Sequence, residues 1–385
     1  MNLANVKTIS IFGATGTIGD NTLEIIRQKQ ESFELLAVTG GYNVDKFIEI
    51  CLEFKPRYAA IIDASQKEFV KNTLASEQIE LFFGEQGIEE VASINVNVGV
   101  VGISGIAGLR PTMKLVESAD IIAVANKESI VCAGEFLQEK VRKFNKRLIP
   151  VDSEHSALFQ AIEFDKMNEL ESIVLTASGG PFLNYNLHKL DTVTVQQALN
   201  HPTWKMGEKN SIDSATMVNK GLEMIEAYNL FPLKSDQIKV IIHPESIIHC
   251  LVNFVDGTSK AMMSDNDMKK PIAFAINFPN RIKENTAFNL TKYKSLNFLE
   301  LDKSRFPVIN LVYDIIASGG SAPVIFNAVN EVMVESFLQG KIKFADIVNN
   351  IIKTINDSEI EKVESIEHVY HLDRVARNKA KLLIS

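Results

Sequence analysis

Cysteine is scarce in this chain: three among 385 residues, Cys51, Cys132 and Cys250. They lie too far apart for a CxxC pair or a disulfide framework, and such usage fits a reducing compartment. No run of about 20 apolar residues is present, which excludes a helical membrane span. The opening MNLANVKTISIFG passes directly into an apolar strand pattern without a basic-then-apolar signal region. The expectation is a soluble, cytoplasmic protein. Basic charge is also short: 40 Lys and Arg stand against 48 Asp and Glu, a formal charge of −8. That balance gives no electrostatic reason for a nucleic-acid or anionic-membrane partner. A phosphorylated substrate would need a local pocket that works against the overall field. Internal repeats and low-complexity tracts are absent too.

What the chain does have is enough apolar material, 46%, for a sizeable core. Its length favours two or three domains. Up to about residue 151, short apolar runs alternate with helical patterns. The runs are Thr8–Phe12, Phe33–Val38, Tyr58–Ile62, Val98–Val101, Ile121–Ala125 and Leu148–Val151; helices are expected at Thr22–Lys29, Val44–Phe54 and Ser129–Phe144. This alternation predicts a parallel sheet covered by helices on both faces. Residues 152–278 are richer in loops with Gly, Ser, His and Pro. Residues 279–307 look like a polar linker, and 308–385 are helical, with amphipathic runs through Asn327–Leu338 and Phe344–Ile355.

The first strand runs into Gly13-Ala14-Thr15-Gly16-Thr17-Ile18-Gly19 and then a helix. Glycines there let the backbone turn sharply and bring a pyrophosphate onto the free N–H groups of the helix N-terminus. The spacing is GxxGxxG rather than GxGxxG, so position carries more weight than pattern. A ligand-free turn is the plainer alternative. At the end of the second strand, Val38–Asn43 holds no carboxylate before Asp45. An acidic residue there would bind the ribose hydroxyls of NAD; its absence leans towards NADP.

Asp152-Ser153-Glu154 follows the strand Leu148–Val151. If still extended, Asp152 and Glu154 point to one side, and two hard oxygen ligands suit Mg²⁺ or Mn²⁺. The same residues are also favoured at the start of a helix. Ser214–Glu226 reads as one helix whose face carries Asn219, Lys220 and Glu223 at i, i+3 and i+4 spacings. Gly221 in its middle implies close packing or a close ligand. Ala177-Ser178-Gly179-Gly180-Pro181 is either an anion nest or a plain turn. The loop His201–Gly207 carries the chain's single tryptophan, Trp204. His243 and His249 sit in an apolar run and are expected to be satisfied core histidines.

Together GATGTIG, ANKES, VDSEHSA, ASGGPF, HPTWKMG, DSATMVNKGLEMIEA, HPESIIH and NAVNE occur in an order and spacing that resemble the 1-deoxy-D-xylulose 5-phosphate reductoisomerase family across essentially the whole chain. The resemblance implies an α/β fold with an N-terminal Rossmann-like NADPH domain (1–151), a central α/β catalytic and dimerisation domain (152–278), a linker (279–307) and a C-terminal helical domain (308–385). It implies NADPH on Thr15, Gly16, Thr17 and Ile18, with Gly41, Tyr42, Asn43, Asn126, Glu128 and Gly207 near the cofactor. It places a divalent metal (Mn²⁺, Mg²⁺ or Co²⁺) on Asp152, Glu154 and Glu223, and substrate on Lys127, Ser153, Glu154, His201 and Glu223. Ser178, Ser214, Asn219 and Lys220 match the phosphate pocket. His201, Trp204 and Met206 match a lid, and the implied assembly is a homodimer. Lys127, beside the metal, would stabilise charge on the migrating oxygens. Many members carry Lys or Arg where this chain has Tyr42. Two alternatives stand beside this reading: a metal-free NADP-dependent dehydrogenase, and a sensor that binds NADPH without turnover.

Overall fold

A computed structural model of the chain describes residues 6–204, 206–283 and 287–384. It divides into two compact units, each built from separate stretches: Met1–Ser129, Leu137–Ser156 and Asp267–Asn285 in the first, Ile130–Phe136, Ala157–Asn266 and Thr286–Ser385 in the second. Among the described residues no helix is long and apolar enough to cross a membrane.

The first unit is a seven-stranded parallel sheet. Its strands are β1 (Lys7–Phe12), β2 (Phe33–Gly40), β3 (Tyr58–Ile61), β4 (Glu80–Phe83), β5 (Val96–Val101), β6 (Ala119–Val124) and β7 (Arg147–Pro150), in the order β4-β3-β2-β1-β5-β6-β7. The helices α1 (Thr17–Gln28), α2 (Val44–Phe54), α3 (Lys67–Thr73), α4 (Gly84–Ala92) and α5 (Leu109–Ser118) connect successive strands; α6 (Lys127–Lys143) and α7 (Ser153–Ala161) flank β7. Strand β4 is the one the apolar runs did not reveal. Its sequence, ELFF, is short, and none of its residues is fully buried. The other strands are buried on both faces, and near-continuous apolar runs are their mark. Strand order reverses between β1 and β5, and the carboxyl ends of strands at such a reversal are where open α/β sheets generally bind ligands.

The glycine-rich turn lies at that reversal. Gly13 has φ +89°, and a Cβ there would meet the backbone of Gly102 at 2.9 Å. A Cβ on Gly19 would lie 2.3 Å from the Ala14 carbonyl oxygen, so α1 can cross the strand end this closely only with glycine at that position. Gly19→Ala is therefore expected to cost about 1–3 kcal/mol through overpacking against backbone. Thermal unfolding checks it: an unchanged midpoint would mean that the turn is looser than the geometry requires.

The second unit holds a four-stranded sheet of β8 (Leu170–Ala177), β9 (Ile238–Ile242), β10 (Ile248–Phe254) and β11 (Ser259–Met263), ordered β11-β10-β8-β9. Strands β8 and β9 are parallel, and β10 is antiparallel to β8 and β11. Helices α8 (Val195–Leu199), α9 (Glu208–Thr216) and α10 (Val218–Leu230) lie between β8 and β9 in the chain. After β11, α11 (Lys269–Asn277) returns to the first unit, where Lys269 pairs with Glu24 of α1 at 2.8 Å. The chain then closes the second unit with α12 (Val308–Ser318), α13 (Ala322–Leu338), α14 (Phe344–Asn356) and α15 (Ile366–Lys381). Helix α13 is apolar almost all round and forms the centre of that bundle. Gly221 of α10 owes its identity to this packing: a Cβ would stand 2.8 Å from Val312 of α12.

Candidate active site

In the first unit the turn after β1 is tied to the end of β2. The Gly13 N–H donates to the Thr39 hydroxyl at 3.0 Å, and the Ala14 N–H donates to the Thr39 carbonyl at 2.8 Å. Gly16 is the N-cap of α1 and makes no side-chain hydrogen bond there. The first N–H groups of an uncapped helix start, here those of Thr17 and Ile18, are of the kind that can receive an anion. Helices α2 and α6 differ, because asparagines cap them. Asn43 accepts from the Lys46 N–H at 3.2 Å, and Asn126 accepts from the Ser129 N–H at 3.1 Å. Asn126 also donates to the Gly105 carbonyl and to Glu128, each at 2.9 Å. Gly41 meets nothing within 4 Å at its would-be Cβ, and Tyr42 is 79% exposed.

Residue Lys127 opens α6, and its ammonium lies 2.6 Å from Asp152 at the end of β7. Asp152 precedes α7 and receives the Ser156 N–H on its carbonyl at 2.8 Å. The helix-start reading of this segment holds through the backbone, while the Asp152 carboxylate faces Lys127. Burial pushes the Asp152 carboxyl up, but the Lys127 charge and the neighbouring His155 hold it well below the usual carboxylate range. It is an anion at neutral pH. Ser153 donates to Glu154 in the first turn of α7.

In the second unit, side chains from three segments meet on one ring. His201 Nε2 lies 3.0 Å from Ser178 Oγ and 3.0 Å from Ser214 Oγ. Its Nδ1 accepts the backbone N–H groups of Thr203 at 3.2 Å and Trp204 at 3.0 Å. With Nδ1 an acceptor, the proton belongs on Nε2, facing the two serines. Burial lowers the His201 pKa to about 4, so the ring is a neutral donor throughout the physiological range. Gly179 and Gly180 both have positive φ, +83° and +66°, and a Cβ on Gly180 would lie 2.9 Å from the Ser214 carbonyl. The glycines allow the turn after β8 to reach Ser214.

The expected single helix over 214–226 is in fact two. Met217 is left-handed at φ +64°, ending α9 and starting α10. Non-glycine residues pay for that conformation, and such positions concentrate where function needs a fixed shape. Its effect is to place Ser214 at the last turn of α9 and Asn219 and Lys220 in the first turn of α10. Glu223, 1% exposed, accepts from Asn219 and from Lys220, itself 4% exposed. Two participants had no signal beyond the motifs that contain them. Fully buried Asp213 takes Asn330 of α13 at 2.8 Å on one oxygen and Lys209 at 2.8 Å on the other, which anchors the residue before Ser214.

Trp204 and Met206 are half-buried, Gly207 is the exposed residue before α9, and Lys205 lies outside the described residues. The indole stands 6.3 Å from the His249 ring. His243 and His249 are satisfied core histidines as expected, bonded to the Asn297 carbonyl at 2.8 Å and the Ser264 hydroxyl at 2.9 Å. Of the three carboxylates singled out in the sequence, Asp152 and Glu154 belong to the first unit and Glu223 to the second.

Comparison with known proteins decides what this arrangement belongs to. The family model for 1-deoxy-D-xylulose 5-phosphate reductoisomerase matches residues 9–134. Two models of the family's C-terminal domains match 148–231 and 263–379. The reductoisomerase of Francisella tularensis subsp. novicida (strain U112) is 44% identical over 375 residues, 96% of both chains. The chain belongs to the 1-deoxy-D-xylulose 5-phosphate reductoisomerase family. Another member, from Geobacter metallireducens, is 43% identical over 98% of this chain and 99% of its own. Among solved members, the Zymomonas mobilis enzyme in complex with NADPH superposes with a TM-score of 0.93 at 35% identity, covering 99% of this chain and all of the other. A member in complex with NADPH, fosmidomycin and magnesium superposes equally well, with 36% identity and 98% coverage of each chain.

Proposed function

We propose that the protein converts 1-deoxy-D-xylulose 5-phosphate to 2-C-methyl-D-erythritol 4-phosphate by rearrangement and reduction, with NADPH and a divalent metal, in the non-mevalonate isoprenoid pathway. The full-length similarity to reductoisomerases carries the reading. The chain is an NADP-dependent oxidoreductase with a Rossmann-like first unit. Three regions take separate tasks: cofactor binding in 1–151, catalysis and homodimer formation in 152–278, and a helical domain in 308–385 after the linker. The substrate is a small sugar phosphate, and the site of action is the cytoplasm.

The donors fit the metal. Asp152 is held ionised, and Glu223 is a buried carboxylate; these two and Glu154 offer only carboxylate oxygens, the donors that Mg²⁺, Mn²⁺ or Co²⁺ accepts. When bound, such a cation supplies a Lewis acid to the adjacent carbonyl and hydroxyl oxygens of the substrate, and the nicotinamide supplies a hydride. Lys127 answers the negative charge that develops on the migrating oxygens, since its ammonium already sits against Asp152. Ser153, His201, Glu154 and Glu223 orient the substrate. The His201 Nε2–H, the Ser178 and Ser214 hydroxyls, Asn219 and Lys220 hold the phosphate. Thr15, Gly16, Thr17 and Ile18 offer the α1 N-terminus to the cofactor pyrophosphate, with Gly41, Tyr42, Asn43, Asn126, Glu128 and Gly207 along the rest of the dinucleotide.

NADPH consumption on adding 1-deoxy-D-xylulose 5-phosphate and Mg²⁺ tests the assignment. A simple dehydrogenase needs no metal, and a sensor shows no turnover. Undiminished activity after exhaustive chelation, or no NADPH loss at all, would overturn it.

Trp204 gives a second readout. Its backbone N–H is bonded to His201, so phosphate arriving at the His201 ring acts directly on the loop that carries the indole. As the chain's single tryptophan, it alone reports indole fluorescence. A saturable change in intensity or wavelength is expected when substrate is added with Mg²⁺, as His201, Trp204 and Met206 close over the site. Emission that stays constant at saturating substrate would remove this loop from the lid.

A further inference from the structure

The two oxygens of Glu223 are both engaged, and both by residues of the phosphate pocket. Asn219 donates to Oε1 and Lys220 to Oε2. All three lie in the first two turns of α10, where the left-handed Met217 starts the helix. Glu223 and Lys220 are each at least nine-tenths buried, so their ion pair is little screened by solvent. The pocket's cation and amide are thereby held on the carboxylate assigned to the metal.

We infer that Glu223 is a shared latch that couples the two binding events. With neither ligand present it holds Lys220 and Asn219. A cation drawing on Glu223 competes with these donors and releases them towards the phosphate. A phosphate drawing on Lys220 and Asn219 releases Glu223 towards the cation. Whichever ligand arrives first breaks the buried pair, and the second arrives at a site already opened. By linkage each must raise the affinity of the other by the same factor. The inference rests on the assignment of Lys220 to phosphate and Glu223 to metal given above.

The consequence runs against intuition: weakening the metal site should strengthen metal-free phosphate binding. Glu223→Gln keeps the side chain's size and one acceptor but removes the charge that competes for Lys220. A buried ammonium that loses one counter-charge gains more from an added anion than one that keeps it. Inorganic phosphate titrated calorimetrically into the full-length protein in EDTA is expected to bind about tenfold more tightly to Glu223→Gln than to wild type. Adding Mg²⁺ to wild type should tighten phosphate binding by a similar factor, a measurement that needs no variant. Asp213→Asn removes a buried carboxylate of the same unit whose partners are Lys209 and Asn330, and should not tighten it. Equal tightening in Asp213→Asn would overturn the latch in favour of a general charge effect, and unchanged affinity both in Glu223→Gln and on adding Mg²⁺ would overturn it outright. Lys220→Ala separates the two levels. If it leaves phosphate affinity untouched, the pocket assignment falls and the latch with it. If it weakens phosphate binding while Glu223→Gln changes nothing, the latch alone fails.

Discussion

Glu223→Gln is expected to lower kcat by about three orders of magnitude or more while NADPH affinity stays within about twofold of wild type. A cation acting as Lewis acid contributes several kcal/mol to the transition state, and each 1.36 kcal/mol is a factor of ten. On the proposed assignment the substitution removes one of three charged ligands from a hard-cation site, and the other two do not restore its affinity. The turn proposed for the cofactor belongs to the first unit, and Glu223 to α10 of the second, so the dinucleotide loses no proposed contact. Steady-state turnover at saturating Mg²⁺ together with NADPH titration by fluorescence checks both halves. Activity near wild type would remove Glu223 from the metal set.

The double variant Ser214→Ala, Lys220→Ala is expected to raise KM for 1-deoxy-D-xylulose 5-phosphate by roughly two to four orders of magnitude. On the proposed assignment two hydrogen bonds to a charged phosphate are lost, each worth about 1.5–3 kcal/mol. The protein has no general positive field to compensate, since its formal charge is −8. His201 does not substitute for them, because burial holds it neutral at working pH. Initial rates over a wide substrate range measure the effect; an unchanged KM would place the phosphate elsewhere.

Much of the candidate site's local geometry was legible in the sequence because it follows from short-range spacing. The glycine-rich turn announces itself by position after the first strand, and the structure adds the reason for its last glycine, the 2.3 Å approach to the Ala14 carbonyl. Asn219, Lys220 and Glu223 share a helix face by spacing alone, and the two bonds onto Glu223 follow that face. Gly221 shows where such reading stops. A mid-helix glycine implied either packing or a ligand, and only the placement of Val312 on a distant helix decided for packing. The break at Met217 left no trace in the sequence, because methionine is an ordinary helix former and its left-handed φ is imposed by the surroundings.

The sequence by itself determined the parallel α/β character of the first 150 residues, the helical C-terminal stretch, and the residue types able to hold a dinucleotide, a hard cation and a phosphate. These are consequences of short-range periodicity and of side-chain chemistry, which a chain carries whether folded or not. Tertiary structure decided the rest. It drew Ser178, Ser214 and the His201 ring together across 36 residues and set the His201 tautomer through two backbone donors. It also buried Asp213 between Asn330 and Lys209 and sent α11 back to the first unit. Each of these depends on contacts between segments remote in sequence, whose pairing follows from the summed packing of the whole core rather than from any local preference.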